Sequence, residues 1–252
     1  MSPPTPFVPA LVIVDLQNDF CPPNGALPVP SGRDVIAPIN KLLQLPFVLK
    51  IATLDWHPPN HISFADNHPP GNAPFTSETI IPHPENPDRI YKTTLWPVHC
   101  VQNTPGAELV SELDQSLLDG VVKKGQDPRV EMYSAFTDPF HEGQQPWDPE
   151  SNSVCTSDLA RTLKEKGVTD VYVVGLAMDY CVKSTAIHAV KYGYRTWVVK
   201  EGTKAVAGDD GNRDSTREME EEGVKIVGLE SDEVAWVQGS AQGADVILRC
   251  PW

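Results

Sequence analysis

The sequence predicts an α/β fold: a mostly parallel open sheet with helices on both faces, a Rossmann-like three-layer sandwich. Three observations carry this expectation. Short apolar, β-branched runs alternate with segments of helical character, as the units of a covered parallel sheet do. Helical segments stop at Gly167, Gly193 and Gly223, where glycine can close a helix in the left-handed conformation. Asp15, Asp55, Lys124 and the turn of residues 177–181 each lie just past an apolar run. Ligands bind beyond the carboxyl ends of strands in an open parallel sheet, so these groups should converge on one edge.

The elements follow in order. Residues 7–14 form the first apolar run, closed by Asp15. Ser31 is placed to cap a helix over residues 33–45, with Asp34 three residues on for a capping box. Pro38 is an irregularity inside that helix. Residues 47–54 are a second strand ending at Asp55, and residues 56–102, rich in His, Pro and Asn, read as a long loop. Loops of that length in a compact domain usually carry function. A helix is expected over residues 105–118 and a third strand over 120–123. Residues 125–152 form another loop, followed by a helix over 157–166, a strand over 170–175, a helix over 179–192 and a strand over 195–199. A helix over 214–222 and a strand over 224–227 complete the series. Residues 1–238 are expected to make one domain and residues 239–252 a tail with little core of its own.

Composition excludes several classes of function. The 252 residues are 40% hydrophobic, enough for one sizeable core. A net charge of −14 argues against a nucleic-acid or anionic-membrane surface. The acidic run of residues 218–222 is a solvated helix face. Cys21, Cys100, Cys155, Cys181 and Cys250 are odd in number and include no Cys-x-x-Cys pair. That pattern suggests neither a disulfide framework nor a structural zinc knuckle. Reduced thiols fit a cytoplasmic setting better. The N-terminus lacks the basic and apolar regions of a secretory signal, and no stretch approaches the roughly 18 apolar residues of a membrane span.

The chemistry-bearing residues form two constellations. Cys181 falls in the first turn of the helix after the run Val171-Tyr172-Val173-Val174. Free N–H groups and partial positive charge at that end favour a thiolate. Taken alone, Cys181 reads more readily as a small buried apolar residue, Asp15 as readily as a turn cap, and Lys124 far more readily as a surface lysine. Together they make a nucleophile, a base and an orienting cation. In the second constellation, Asp55 and His57 are two residues apart in an extended segment and so point to one side. A carboxylate and an imidazole there can share a divalent metal, with His99 as a third candidate ligand. His61, His68 and His83 lie in the same loop and read either as ligands or as ordinary solvated residues.

These segments resemble the nicotinamidases of the isochorismatase-like cysteine hydrolase superfamily, most closely the eukaryotic (fungal) type. The resemblance spans about residues 8–230. It rests on Val14-Asp15-Leu16-Gln17-Asn18-Asp19-Phe20, Asp55-Trp56-His57, Trp96-Pro97-Val98-His99-Cys100, Lys124-Gly125, Tyr133-Ser134-Ala135-Phe136 and Gly175-Leu176-Ala177-Met178-Asp179-Tyr180-Cys181-Val182. The pairing of Asp-Trp-His with Trp-Pro-x-His is its specific part, since relatives acting on isochorismate or N-carbamoyl substrates lack that metal set. The resemblance implies a catalytic triad of Asp15, Lys124 and Cys181, and an oxyanion hole from the backbone of Ala177 and Cys181. Lys123 competes for the lysine role, but the Lys-Gly pairing favours Lys124. It further implies a metal held by Asp55, His57 and His99 in a loop region of about 55–102, with Glu131 near it. Zinc is the first expectation for that metal, iron or manganese the alternatives. Phe20 and Trp96 would sandwich an aromatic ring, Tyr133 would line the same pocket, and the Leu176–Ala177 peptide would be cis.

The implied reaction is hydrolysis of nicotinamide to nicotinate and ammonia through a cysteine thioester, in NAD salvage. Pyrazinamide is a second implied substrate. A related cysteine hydrolase acting on another small amide is the alternative. The long segment 66–90, the loop of residues 144–152 and the C-terminal tail depart from the family pattern and bear on pocket access and on homo-oligomerisation, which stays open.

Overall fold

In the computed structural model, which describes residues 2–141, 154–155 and 157–247, six parallel strands form one sheet. The strands are β1 (Pro9–Val14), β2 (Leu49–Asp55), β5 (Gly120–Lys124), β6 (Asp170–Leu176), β7 (Arg195–Lys204) and β8 (Lys225–Val227), in the order β5-β2-β1-β6-β7-β8. Chain order reverses between β1 and β6, which pair from Pro9 with Asp170 to Val14 with Gly175. A reversal of this kind opens a crevice at the carboxyl ends of the two strands.

Every residue of β1 and β6 is buried, because helices cover both faces. Leu11, Ile13, Tyr172 and Val174 point to one face. There they meet α1 (Ile36–Leu43) through Ile39 and Leu42, and α5 (Asp232–Ile247) through Val234 and Val237. Ala10, Val12, Val171 and Val173 point to the other. That face packs on α2 (Leu159–Glu165), α3 (Lys183–Lys191) and α4 (Gly208–Glu221) through Leu163, Ala186 and Met219. The three-layer α/β expectation holds. Gly175 shows how closely its central strands approach: at φ +111°, a Cβ there would lie 2.0 Å from the Val14 carbonyl oxygen.

Several local expectations change. Ser31 does not cap its helix: it sits at φ +54°, and its carbonyl, not its side chain, accepts the Asp34 N–H. A 3-10 turn, Gly32–Val35, precedes α1. Pro38 is the third residue of α1, where a missing N–H costs little. The helix expected over residues 105–118 is absent; two 3-10 turns, Pro105–Ala107 and Gln115–Leu117, stand there. Its backbone bonds instead with the exit of β1: the Val110 N–H donates to Leu16, and the Asn18 N–H to Glu108. Residues 56–102 are not all loop, because β3 (Glu78–His83) and β4 (Asn86–Thr94) form an antiparallel hairpin. The proline at position 82 and the polar outer face hide its alternation. Strand β7 continues to Lys204 past a register shift, and α4 begins at Gly208, six residues earlier than the sequence suggests. Helix α5 carries the backbone through position 239 to Ile247 where a tail was expected. The expected loop of residues 144–152 and Cys250 lie outside the described residues.

Candidate active site

Four strand ends converge as their positions in sequence suggest. Asp15 follows β1, Asp55 ends β2, Lys124 ends β5, and Cys181 lies in the single π-helical turn Met178–Val182 that joins β6 to α3. Pairing of β2 with β5 sets Asp55 directly beside Lys124. Burial alternates along β5, so Lys124 points inward while Lys123 is exposed, its ammonium 3.7 Å above the Trp56 ring. Lys124, not Lys123, is therefore the lysine of the site.

The Lys124 ammonium lies 2.9 Å from Asp15 Oδ2, 2.5 Å from Asp55 Oδ1 and 3.4 Å from Cys181 Sγ. All four side chains are buried. Burial pushes Asp15 up to about 6 against the pull of Lys124, with Asp55 adding to the rise. Asp55 is also penalised by burial, but Lys124 and His57 hold it well below the usual carboxylate range. The two carboxylates compete for one ammonium, and Asp55 has the closer contact.

Cys181 departs from expectation. Burial drives its thiol well above the ordinary value, and Asp15, Asp55 and Glu131 drive it further, against Lys124. Burial thus favours the protonated thiol, which calls for a base. Asp15, raised to about 6, suits that task better than an ordinary carboxylate would.

Thr53 was not singled out in the sequence, although it lies two residues before Asp55 on β2. Its hydroxyl donates to Asp15 Oδ1 at 2.5 Å and accepts the Asp15 N–H at 3.1 Å. Asp15 sits at φ +46°, and the threonine clamps that unusual backbone and its carboxylate together. A hydrogen bond to a charged group contributes about 1.5–3 kcal/mol. Thr53→Val should therefore lower kcat roughly 10- to 100-fold with little change in KM, as steady-state kinetics would show.

Gln17, equally unmarked in the sequence, fixes Asp55 from both sides. Its Nε2 donates to the Asp55 carbonyl and its Oε1 accepts the Asp55 N–H, each at 2.8 Å.

The second constellation also assembles. Ligand atoms of Asp55, His57 and His99 all lie within 4.8 Å of one another. His57 Nδ1 donates to the Gly125 carbonyl at 2.8 Å, and His99 Nδ1 to the Pro97 carbonyl at 2.8 Å. Each ring thus has one nitrogen pinned by backbone and the other free, the usual outer-sphere arrangement of a metal-binding histidine. His57 Nε2 is buried without a hydrogen-bond partner, 3.6 Å from Asp55 Oδ2. Burial opposes a proton on His57, yet Asp55 and Glu131 outweigh it and draw positive charge to this spot. His99 is lowered to about 4 by burial and by His57, which leaves it in the neutral form that binds metals. The donor set fits a divalent cation. It also explains the Lys-Gly pairing: a Cβ at Gly125, where φ is +65°, would lie 2.4 Å from the His57 ring.

Glu131 is buried nearby but groups with His57 and His61 rather than with the Asp55–His57–His99 set. One of its oxygens accepts the Met132 N–H at 2.9 Å. His61 stacks on His57 with ring centroids 4.0 Å apart, and both of its nitrogens are engaged, by Ser63 and by the Val130 carbonyl. His68 bonds the Ile62 carbonyl, and His83 packs on Phe140. Neither joins the site.

A partly open pocket gives onto both constellations. Cys181, Asp55, His99 and Glu131 supply its polar lining, and Phe20, Trp96 and Tyr133 much of its aromatic lining. Leu27, Ala177, Tyr180 and Val206 complete it, and no motif in the sequence marks Leu27 or Val206. The Tyr133 hydroxyl accepts Trp96 Nε1–H at 2.9 Å and lies 2.7 Å from Thr93 Oγ1, so Tyr133 holds Trp96 in place. The Leu176–Ala177 peptide is cis, as the resemblance implied, and Ala177 lies in the pocket wall beside Cys181.

The chain is similar to several known proteins. Residues 9–231 match the isochorismatase domain family. The chain is 37% identical over 207 residues to a nicotinamidase of Saccharomyces cerevisiae, covering 79% of this chain and 89% of that protein. It superposes on the yeast nicotinamidase bound to the inhibitor nicotinaldehyde with a TM-score of 0.77, at 35% identity, covering 87% of this chain and 99% of that one. It also matches the pyrazinamidase of Pyrococcus horikoshii in complex with zinc, with a TM-score of 0.63 and 34% identity, covering 88% and 99% of the two chains.

Proposed function

The chain belongs to the isochorismatase domain family, and from that premise we propose that it hydrolyses nicotinamide to nicotinate and ammonia. It is an amidohydrolase acting on a carboxamide. The observation that carries this reading is the approach of Lys124 to Cys181, Asp15 and Asp55 beside the Asp55–His57–His99 cluster, on one aromatic-lined pocket.

In this reading Asp15, Lys124 and Cys181 are the catalytic residues. Asp55, His57 and His99 would hold one divalent metal, zinc first among the choices, with Glu131 shaping the charge beside it. A cation held there would supply a Lewis acid that orients an aromatic ring carrying a donor nitrogen. Phe20 and Trp96 supply the aromatic walls for the ring, and the carboxamide then faces Cys181. Asp15 removes the thiol proton as Sγ bonds to the amide carbon, and Lys124 balances the charge between them. Backbone N–H groups of Ala177 and Cys181 receive the oxyanion, each such donor contributing about 3–4 kcal/mol. Collapse of the adduct breaks the C–N bond, and Asp15 returns its proton to the departing ammonia. Water, deprotonated by Asp15, then attacks the thioester, releases nicotinate and restores the thiol.

Pyrazinamide keeps the ring nitrogen and the carboxamide, and the likeness to a pyrazinamidase supports it as a second substrate. A role in NAD salvage follows from the substrate. A cytoplasmic setting is consistent with Cys21, Cys100, Cys155 and Cys181, all free thiols. Among the described residues, no helix is long and apolar enough to cross a membrane.

The test is ammonia release from nicotinamide by the purified protein, with and without a chelator. Release that chelation stops and added zinc restores is the expected result. No release from metal-replete protein would overturn the assignment and turn attention to other small amides.

A further inference from the structure

Asp19 lies in the Asn18–Phe20 turn, next to the pocket wall, and belongs to none of the metal-competent clusters among the described residues. Its carboxylate is nevertheless bonded into the metal region. Oδ2 accepts the backbone N–H of Cys100 at 2.7 Å, and Oδ1 accepts that of Ala26 at 3.3 Å. The Asp19 carbonyl takes the Leu27 N–H at 2.9 Å. One residue therefore ties together the segment carrying His99, the segment carrying Leu27, and its own neighbour Phe20.

The bond to Cys100 matters most. Cys100 adopts φ +46°, a conformation an L-residue holds only when its surroundings impose it. His99 is the preceding residue, so the Cys100 backbone sets the direction from which the His99 ring enters the cluster. The anchoring bond has a carboxylate acceptor and is of the stronger kind. The Cys100 carbonyl in turn accepts the His57 N–H at 3.0 Å. Both histidines of the candidate metal set thus depend on the placement of one residue, Cys100, whose N–H Asp19 holds and whose carbonyl receives His57.

Gly106 supports the same reading. A Cβ on Gly106 would lie 2.2 Å from Asp19 Oδ2, and its three nearest contacts are all atoms of that carboxylate. The space beside Asp19 is filled by the carboxylate itself, held against a position that carries no side chain.

We propose that Asp19 is a positioning residue for the metal site, acting through the Cys100 peptide to hold His99 and His57 in ligating geometry. The inference rests on the metal role given above to Asp55, His57 and His99. The experiment measures zinc affinity by competition with a chromophoric chelator for wild type, Asp19→Ala, Asp19→Asn and Gly106→Ala, each first shown by circular dichroism to be folded. Loss of an outer-sphere partner typically costs 10- to 100-fold in metal affinity, and Asp19→Ala should lose that much. Asp19→Asn keeps an oxygen acceptor for Cys100 and should recover part of the loss. Gly106→Ala removes no polar group but displaces the Asp19 carboxylate, and should weaken zinc binding as Asp19→Ala does. If Asp19→Ala and Gly106→Ala both bind zinc as tightly as wild type, the positioning role is wrong while the metal reading stands. If wild type itself holds no zinc, the metal reading fails and this inference with it.

Discussion

Ammonia release from nicotinamide should fall by at least about 10⁴-fold in Cys181→Ala, because removing the nucleophile of a cooperating triad removes covalent catalysis entirely. Binding should survive. The ring contacts of Phe20 and Trp96 and the cluster of Asp55, His57 and His99 do not depend on the sulfur. Equilibrium dialysis should therefore show nicotinamide retained by the variant at near wild-type affinity, while the ammonia assay reads close to background. The resting thiol is neutral and buried, so alanine removes no charge and leaves only a small gap, and the fold should be little disturbed. Turnover in the variant at a wild-type rate would remove Cys181 from the mechanism.

His99→Ala should lose bound metal and raise KM for nicotinamide by about 10-fold or more, with a fall in kcat from poor orientation of the carboxamide. The expectation comes from geometry. His99 presents one free nitrogen to Asp55 and His57 while Pro97 holds the other. Removing it leaves two protein ligands, fewer than the three of an ordinary catalytic site. Metal content by atomic emission and steady-state kinetics check the two halves separately. Full activity in metal-free protein would remove the cation from the reaction. Iodoacetamide labelling of Cys181 should change little, because Asp15 and Lys124, which control the thiol, keep their places.

Much of the site was legible because the chemistry sits at strand ends. An apolar run that stops at a charged residue marks both the strand and the edge where its terminal side chain emerges. Asp15, Asp55 and Lys124 were readable for that reason, and the Gly-x-Ala-x-x-x-Cys segment marked Cys181. Thr53 and Gln17 were not singled out, since a hydroxyl or amide on a strand has many uses and only the neighbouring strand selects one. The 105–118 segment went wrong for a related reason. Its local pattern allows a helix, but Leu16 and Asn18 offer backbone partners that the sequence does not show.

The sequence by itself determined the order of the βα units, the burial of both sheet faces and which polar side chains stand at the strand ends. Those properties follow from local apolar pattern and residue type. Only the tertiary structure decided the charge states, because they depend on distances between strands. Burial and neighbouring carboxylates make Cys181 a neutral thiol rather than the thiolate its position suggested, and place Asp15 near 6 where it can act as a base. The structure also decided that the Asp55 beside Lys124 is the same Asp55 that faces His57 and His99. One carboxylate thereby joins the two constellations, and only the parallel pairing of β2 with β5 brings that about.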